Sequence, residues 1–437
     1  MKAIQIFLIL LLSTTIFAQA NLLQSGPMVG YSDMREVLLW VQTKESAEVS
    51  FDYWIKGTNR AEVFHTASTM TSKAGAFTAK LVADEVQQGN HYEYELLINK
   101  KAVKLPYLTE FQSQELWQYR HDPPTFSVAL GSCAYVNEKE YDRPGRAYGS
   151  HYEIFTAIHE QRPDAMLWLG DNVYTRDGDF TETGFYHRYT HTRSLPEMQP
   201  LLASTHNYAT WDDHDFGPND LDGSYALKDV ALRTFKLFWG NPSYGINGHP
   251  SVITNFTFND MEFFGLDNRY YRSANNRKTG KRQMLGEEQL QWLVSRLSES
   301  KAPFKFVMVG GQVLNTAAVY ENYVRLFPEE RELLLELIEK EKIKGVVFLT
   351  GDRHHTELSG YKNNAGNMVY DLTVSPLTAG TPSKLTEKND HLIEGTVVLT
   401  QNFGVLTFTG PRKKRVMTIK IYDSMGKELW TKSLNAQ

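Results

Sequence analysis

Only one cysteine, Cys133, occurs in the 437 residues. An intramolecular disulfide is therefore excluded, and stability has to come from packed cores rather than cross-links. The formal net charge is −5, with no large excess of either sign. No electrostatic footprint for nucleic acid follows from it. The one basic cluster, Arg412 to Arg415, comes after Gly410-Pro411 between two strand-like runs and reads as a solvated hairpin turn. Internal repeats and low-complexity tracts are lacking too. What is present is 41% hydrophobic and 12% aromatic, enough for substantial cores, and the length suggests about two domains.

The long hydrophobic runs are confined to the N-terminus. Lys2 precedes an apolar stretch from Ile4 to Phe17, and Ala18-Gln19-Ala20 supplies a small-x-small cleavage pattern. Residues 1–20 are therefore expected to be a secretory signal peptide, with the exported chain starting near Asn21. The expected location is secreted or periplasmic, with no membrane span after signal removal, since no later stretch approaches transmembrane length. In an oxidising compartment a lone thiol is a liability unless it is buried or ligated.

Residues 21–122 carry short runs rich in β formers, at 37–41, 47–54, 61–66, 76–81 and 91–98, separated by turn residues. This spacing predicts an all-β sandwich of immunoglobulin or fibronectin type. Asp122-Pro123-Pro124 marks a boundary, because consecutive prolines suit neither a helix nor a central strand. From 123 to 437 apolar strands alternate with helical patterns, which predicts an α/β domain. Strands are expected at 126–130, 165–169, 208–211, 261–266, 304–309 and 346–350, and helices at 153–161, 286–298 and 328–342. A β-rich end is expected from runs at 396–400, 403–409, 416–422 and 427–434.

The chemistry sits just after the strands. The run 126–130 ends in Gly131-Ser132-Cys133, and 165–169 ends in Gly170-Asp171-Asn172-Val173-Tyr174. The run 208–211 leads to Asp212-Asp213-His214-Asp215, and 346–350 to Gly351-Asp352-Arg353-His354-His355. Ligands of open α/β sheets bind beyond the carboxyl ends of the strands, so these side chains are expected to share one crevice. Converging carboxylates repel one another unless cations intervene. Carboxylates suit hard cations, whereas imidazole, thiolate and phenolate suit transition metals. The mixture points to more than one ion, an arrangement able to clamp a phosphoryl group and activate water.

These motifs together resemble the alkaline phosphatase D (PhoD-like) family of metallophosphoesterases. Ser25 to Gly30 is similar to the opening of that family's β module, and Leu266-Asp267-Asn268-Arg269-Tyr270-Tyr271-Arg272 to its aspartate-x-arginine segment. The resemblance implies a two-sheet sandwich flanked by helices, preceded by the β domain, with metals at the strand ends. It implies that Cys133, Asp171, Tyr174 and His354 hold Fe3+ and that Asp171 bridges to a Ca2+ site completed by Asp213 and Asp352. Zn2+ and Mn2+ are the alternatives. Asp212 is implied as a further ligand, His214 and Asp171 as catalytic groups, and Asn172, Arg269 and Arg353 as contacts to a small phosphate ester or diester.

The position of the last ligand stays open among His355, Gln312 and Asn315, and Arg143 and Arg146 are further candidates for phosphate. Residues 175–206 and 215–250 are expected to form a loop-rich rim, with Tyr186, Tyr189, Trp239 and Tyr244 available to stack on substrate. The competing reading is a secreted, calcium-dependent adhesin or carbohydrate-binding protein without catalysis. For calcium alone, thiol, phenol and imidazole donors would be superfluous.

Overall fold

The computed structural model describes residues 22–437, so the expected signal peptide lies outside the described residues. The chain divides into two compact units. The first holds the residues up to Leu116, joined by Arg193–His206 and Leu237–Gly240. Its strands are β1 (Leu23–Ser32), β2 (Val37–Thr43), β3 (Glu48–Ile55), β4 (Phe64–His65), β5 (Thr69–Met70), β6 (Thr78–Ala83), β7 (His91–Ile98), β8 (Lys101–Ala102) and β9 (Glu110–Gln112). One sheet runs β1-β2-β6 and the other β4-β3-β7-β8, with β5 on β3 and β9 on β7. All of these pairings are antiparallel. Alternate residues of β3 and β7 turn Val49, Phe51, Tyr53, Tyr92, Tyr94 and Leu96 inward, where they pack with Leu39 and Val41 of β2. Period-two burial of this kind makes the unit an all-β sandwich.

The two later segments belong to this unit through specific bonds. The Gln199 carboxamide accepts from Gly26 N at 2.7 Å and donates to the carbonyls of Arg193 and Leu195. Trp40 Nε1 donates to Leu237 O at 2.8 Å. The Arg193 guanidinium lies 4.0 Å from the Trp239 ring centroid. Trp239 is thus buried under an arginine, which corrects its expected place as a stacking residue of the rim. Tyr189 is buried as well.

The second unit contains β10 (Phe126–Gly131), β11 (Ala165–Leu169), β12 (His206–Thr210, whose first residue falls in the first unit), β13 (Thr254–Phe258), β14 (Met261–Gly265), β15 (Lys305–Met308), β16 (Val346–Thr350), β17 (Glu357–Lys362), β18 (Met368–Thr373), β19 (Asn402–Thr409), β20 (Val416–Asp423) and β21 (Glu428–Asn435). They form two six-stranded mixed sheets, in the orders β12-β11-β10-β19-β20-β21 and β13-β14-β15-β16-β18-β17. The sheets meet through aromatic rings. Tyr208 stacks on Phe256 at 3.8 Å, and Phe306 meets Phe408 edge-on at 5.6 Å. Outside, helices Glu287–Glu299 and Pro328–Lys340 bury Leu290, Leu293, Leu297, Leu334 and Ile338 against Phe264, Val307 and Phe348. The leucine spacing of three and four residues is what a helix needs to present one apolar face.

The expected rim segments are less loop-like than their composition suggested, since helices Glu182–Arg193, Gln199–Ser204 and Lys228–Phe238 run through them. The expected strand at 396–400 does not form; Val398 makes only an isolated bridge to Thr356. Among the described residues no helix is long and apolar enough to cross a membrane.

His206 ties the first unit together in one protonation state. Its Nδ1–H donates to Gly30 O at 2.9 Å and its Nε2 accepts from Gln112 N at 3.2 Å. Burial lowers its pKa from 6.5 to about 4. A folded pKa below the unfolded one leaves stability intact above pH 6.5 and removes it as pH falls towards 4, by about 3 kcal/mol. Urea unfolding at stepped pH checks this. His206→Gln is expected to be less stable than wild type at pH 7, with the gap narrowing on the acid side; parallel curves would contradict the assignment.

Candidate active site

The donors hang from turns that bend sharply off the strand ends. Cys133 (φ 59°), Asp171 (φ 51°), Asp352 (φ 69°) and His354 (φ 53°) all adopt left-handed backbone. L-residues take up this region at a cost of roughly 1–2 kcal/mol each, and such strain gathers at functional sites. Two glycines make room for one carboxylate. A Cβ on Gly310 would lie 2.3 Å from Asp212 Cγ, and one on Gly170 (φ 99°) would lie 2.8 Å from Asp212 Cβ. Both glycines thus yield space to the Asp212 side chain.

Among the described residues three overlapping groups of donors result: Cys133 with Asp171 and His354, Asp171 with Asp213 and His214, and Asp212 with Asp213 and Glu321. Within each, the donor atoms lie within 4.8 Å of one another. Asp171 belongs to the first two and Asp213 to the last two, so the groups form one continuous row.

At one end, Cys133 is fully buried. Its sulfur lies 3.6 Å from Asp171 Oδ2 and receives the hydroxyls of Ser375 (3.2 Å) and Ser132 (3.5 Å). The Tyr174 hydroxyl and the Asp352 amide also face it. Burial pushes the thiol up, and these donors pull it back toward the thiolate. Tyr174 OH is 3.2 Å from His354 Nε2. The His214 ring centroid is 4.3 Å from that of Tyr174, and the His214 amide is held by Asp171 Oδ1 (3.3 Å) and Asp213 Oδ1 (3.0 Å).

At the other end, Asp212 Oδ1 accepts from Asn268 Nδ2 at 2.8 Å and Arg269 Nε at 2.6 Å. The Arg269 guanidinium also pairs with Glu321, which accepts from Arg272 Nη2 at 3.0 Å. Glu321 and Asn268 were not among the expected site residues. Asn268 at least lies in a motif segment, whereas Glu321 sits in a loop that carries no spacing signal.

Several expected residues stand elsewhere. Arg269 is spent on Asp212 and Glu321. Arg353 is spent on Gln312 Oε1 (3.0 Å), Asn322 Oδ1 (3.1 Å) and Glu387. Both arginines are more than nine-tenths buried, so a phosphate would have to compete with carboxylates for them. Gln312 and Asn315 bond to each other and to Glu357, and His355 turns to Arg353 O and Glu357. His355 belongs to no donor group among the described residues. Asp352 belongs to none either, although its carboxylate feels Asp212, Glu321 and Asp213. Asn172 anchors through Nδ2 to Thr210 O and Asp215, leaving Oδ1 buried without a partner. Arg143 and Arg146 are exposed.

The donor set fits cations. Burial, followed by the charges of Asp213, Cys133 and Asp212, drives Asp171 well above the carboxylate range. Burial does the same for Asp352, with Asp212, Glu321 and Asp213 adding to it. Asp213 is also buried, yet His214 and Arg269 hold it below the usual range. Asp212 Oδ2, Asn268 Oδ1 and His214 Nδ1 are buried with no hydrogen-bond partner. Unpaired buried oxygens and mutually repelling carboxylates are stabilised together by a positive ion placed among them. Oxygen donors gather at the Asp212 end, and sulfur, phenol and imidazole at the Cys133 end, so hard and softer cations would be sorted along the row.

Comparison with known proteins gives a consistent picture. The model of the PhoD-like phosphatase family matches residues 128–413, and that of a domain of unknown function (DUF7800) matches residues 20–116. Alkaline phosphatase D of Bacillus subtilis (strain 168) is 22% identical over 281 residues, covering 53% of this chain and 46% of that protein. The chain thus spans less than half the length of that curated relative. The solved structure of PhoD superposes with a TM-score of 0.75 at 16% identity, over 95% of this chain and 93% of that one. Purple acid phosphatase PPD1 from yellow lupin (Lupinus luteus) gives 0.66 at 12% identity, over 94% and 74%. At such identities the structural likeness speaks for the fold, and the family match for descent: the chain belongs to the PhoD-like phosphatase family.

Proposed function

We propose that this chain is an exported, metal-dependent phosphoric ester hydrolase acting on small phosphate mono- or diesters. The observation that carries the reading is the continuous row of thiol, carboxylate and imidazole donors from Cys133 to Glu321. In this reading Cys133, Asp171, Tyr174 and His354 would hold Fe3+, and Asp213 and Asp352 would complete a Ca2+ site shared through Asp171, with Zn2+ and Mn2+ as alternatives. Asp212 and the newly found Asn268 and Glu321 would bound the calcium side. The N-terminal sandwich would be immunoglobulin-like, and the apolar segment before Asn21 would direct export.

Bound ions would supply Lewis acidity and a water activated for attack on phosphorus. The chain's own groups do the rest. His214 is pinned by its amide to Asp171 and Asp213, and its Nδ1 is buried without a partner. Burial lowers its pKa and Asp213 opposes that, so it can give a proton to a leaving oxygen. Arg269 and Arg353 act as charge balance for Asp212, Glu321 and Glu387 rather than as free phosphate grips. Asn172 Oδ1, unpartnered like Asp212 Oδ2 and Asn268 Oδ1, is left to meet substrate or ion. A non-catalytic calcium-dependent adhesin gains no support from a buried thiol and phenol among the donors.

Two measurements check this. Chelation should reduce turnover of a chromogenic phosphate ester to background, and metal add-back should restore it; full turnover by the metal-free protein would remove the proposal. His214→Asn is expected to lower kcat by about 10²–10⁴-fold at unchanged metal content by elemental analysis. Loss of metal in that variant would make His214 a ligand instead of an acid.

A further inference from the structure

Residues 137–149 form a closed surface loop beside the donor row. Asn137 clasps Gly149 from both sides, its Nδ2 donating to Gly149 O and its Oδ1 accepting from Gly149 N, each at 2.9 Å. Inside the loop, the Asp142 carboxylate accepts from Tyr135 OH (2.7 Å), Glu138 N (2.7 Å) and Arg176 Nε (3.0 Å). Beyond the clasp, Ser150 N donates to Thr378 O at 2.7 Å. A loop whose ends are joined and whose interior is bonded holds what it carries in a defined place.

What it carries is Tyr148. The ring is 46% exposed, yet its hydroxyl is 3.1 Å from His354 Nδ1. The ring meets Tyr135 edge-on at 4.9 Å and Tyr174 at 6.4 Å. On another side it lies over Gly380, where a Cβ would come 3.0 Å from the ring. The His354 imidazole is thus suspended between two phenols, with Tyr174 on Nε2 and Tyr148 on Nδ1. An imidazole that ligates through one nitrogen needs its other N–H held by an acceptor, which fixes both tautomer and ring orientation. The Gly380 backbone bonds the imidazole as well.

We propose that Tyr148 is a positioning residue: its hydroxyl accepts the Nδ1–H of His354 and keeps the Nε2 lone pair turned toward Cys133, Asp171 and Tyr174. The proposal rests on reading those residues as a metal centre. It gives the clasped loop a purpose, because loosening the loop would release the histidine. It also explains Gly380, whose missing side chain is the space the Tyr148 ring occupies.

The test uses the whole protein as purified, with its iron, zinc and manganese content measured during an EDTA challenge. Tyr148→Phe removes only the hydroxyl and is expected to lose metal about tenfold faster than wild type, in line with the loss of an outer partner of a ligating histidine. Gly380→Ala keeps every donor but displaces the ring, and should shift the rate in the same direction. Tyr141→Phe, on the same loop and packed against His187 instead, should match wild type. With saturating metal in the assay, Tyr148→Phe should regain wild-type kcat at unchanged KM. Wild-type metal retention by Tyr148→Phe, or a raised KM at saturating metal, would overturn the proposal. Wild-type protein that retains no metal at all would overturn the metal-centre reading beneath it, a distinct result.

Discussion

Burial of like charge is the constraint around which the second unit is built. Asp171, Asp212, Asp213 and Glu321 lie side by side with a thiol, almost wholly out of water. Left alone, such a cluster would take up protons or open. The chain meets the problem at one end with cations of its own: Arg269 faces Asp212 and Glu321, and Arg272 shares Glu321. At the Cys133 end hydroxyls and an amide face the thiol, and the nearby buried Arg353 is committed to Glu387. A cation beside Asp171 would offset the repulsion it meets from Asp213, Cys133 and Asp212.

The backbone is shaped to the same end. Parallel pairing of β14, β15 and β16, and of β10 with β11, brings their carboxyl ends to a common edge in each sheet. Left-handed turns at Cys133, Asp171, Asp352 and His354 then aim the donors inward. Asp215 locks the Asp171 turn and the start of its own short helix, accepting from the amides of Asn172 and Asp212. Burial raises its pKa to about 7, against the pull of those amides.

Much of this was legible in the residues, and the exceptions have physical causes. β10, β11 and β16 are apolar runs stopped by glycine, so both the strands and their chemical ends could be read. β1 could not, because Gly26, Pro27 and Gly30 punctuate it, and its place is set by bonds to residues far along the chain, such as Gln199. β17 and β18 mix polar residues with apolar ones and stand out only once the sheet is assembled. Helix Glu182–Arg193 has polar residues on nearly every side, which hid it inside an expected loop. At the site, residues on strand-end motifs came together, whereas Glu321 could be found only from its arginine partners. Arg269 and Arg353 were identified by residue type as anion grips; in the fold their carboxylate partners claim them first.

The central claim is that one row of donors shares bound cations. Anomalous difference maps from crystals of the purified protein, collected on both sides of the iron edge, test it most directly. The account predicts a strong peak between Cys133 Sγ, Asp171, Tyr174 and His354, changing across that edge, with a second, lighter site beside Asp213. Crystals that hydrolyse a phosphate ester yet show no ordered ion within bonding reach of Asp171 would contradict it.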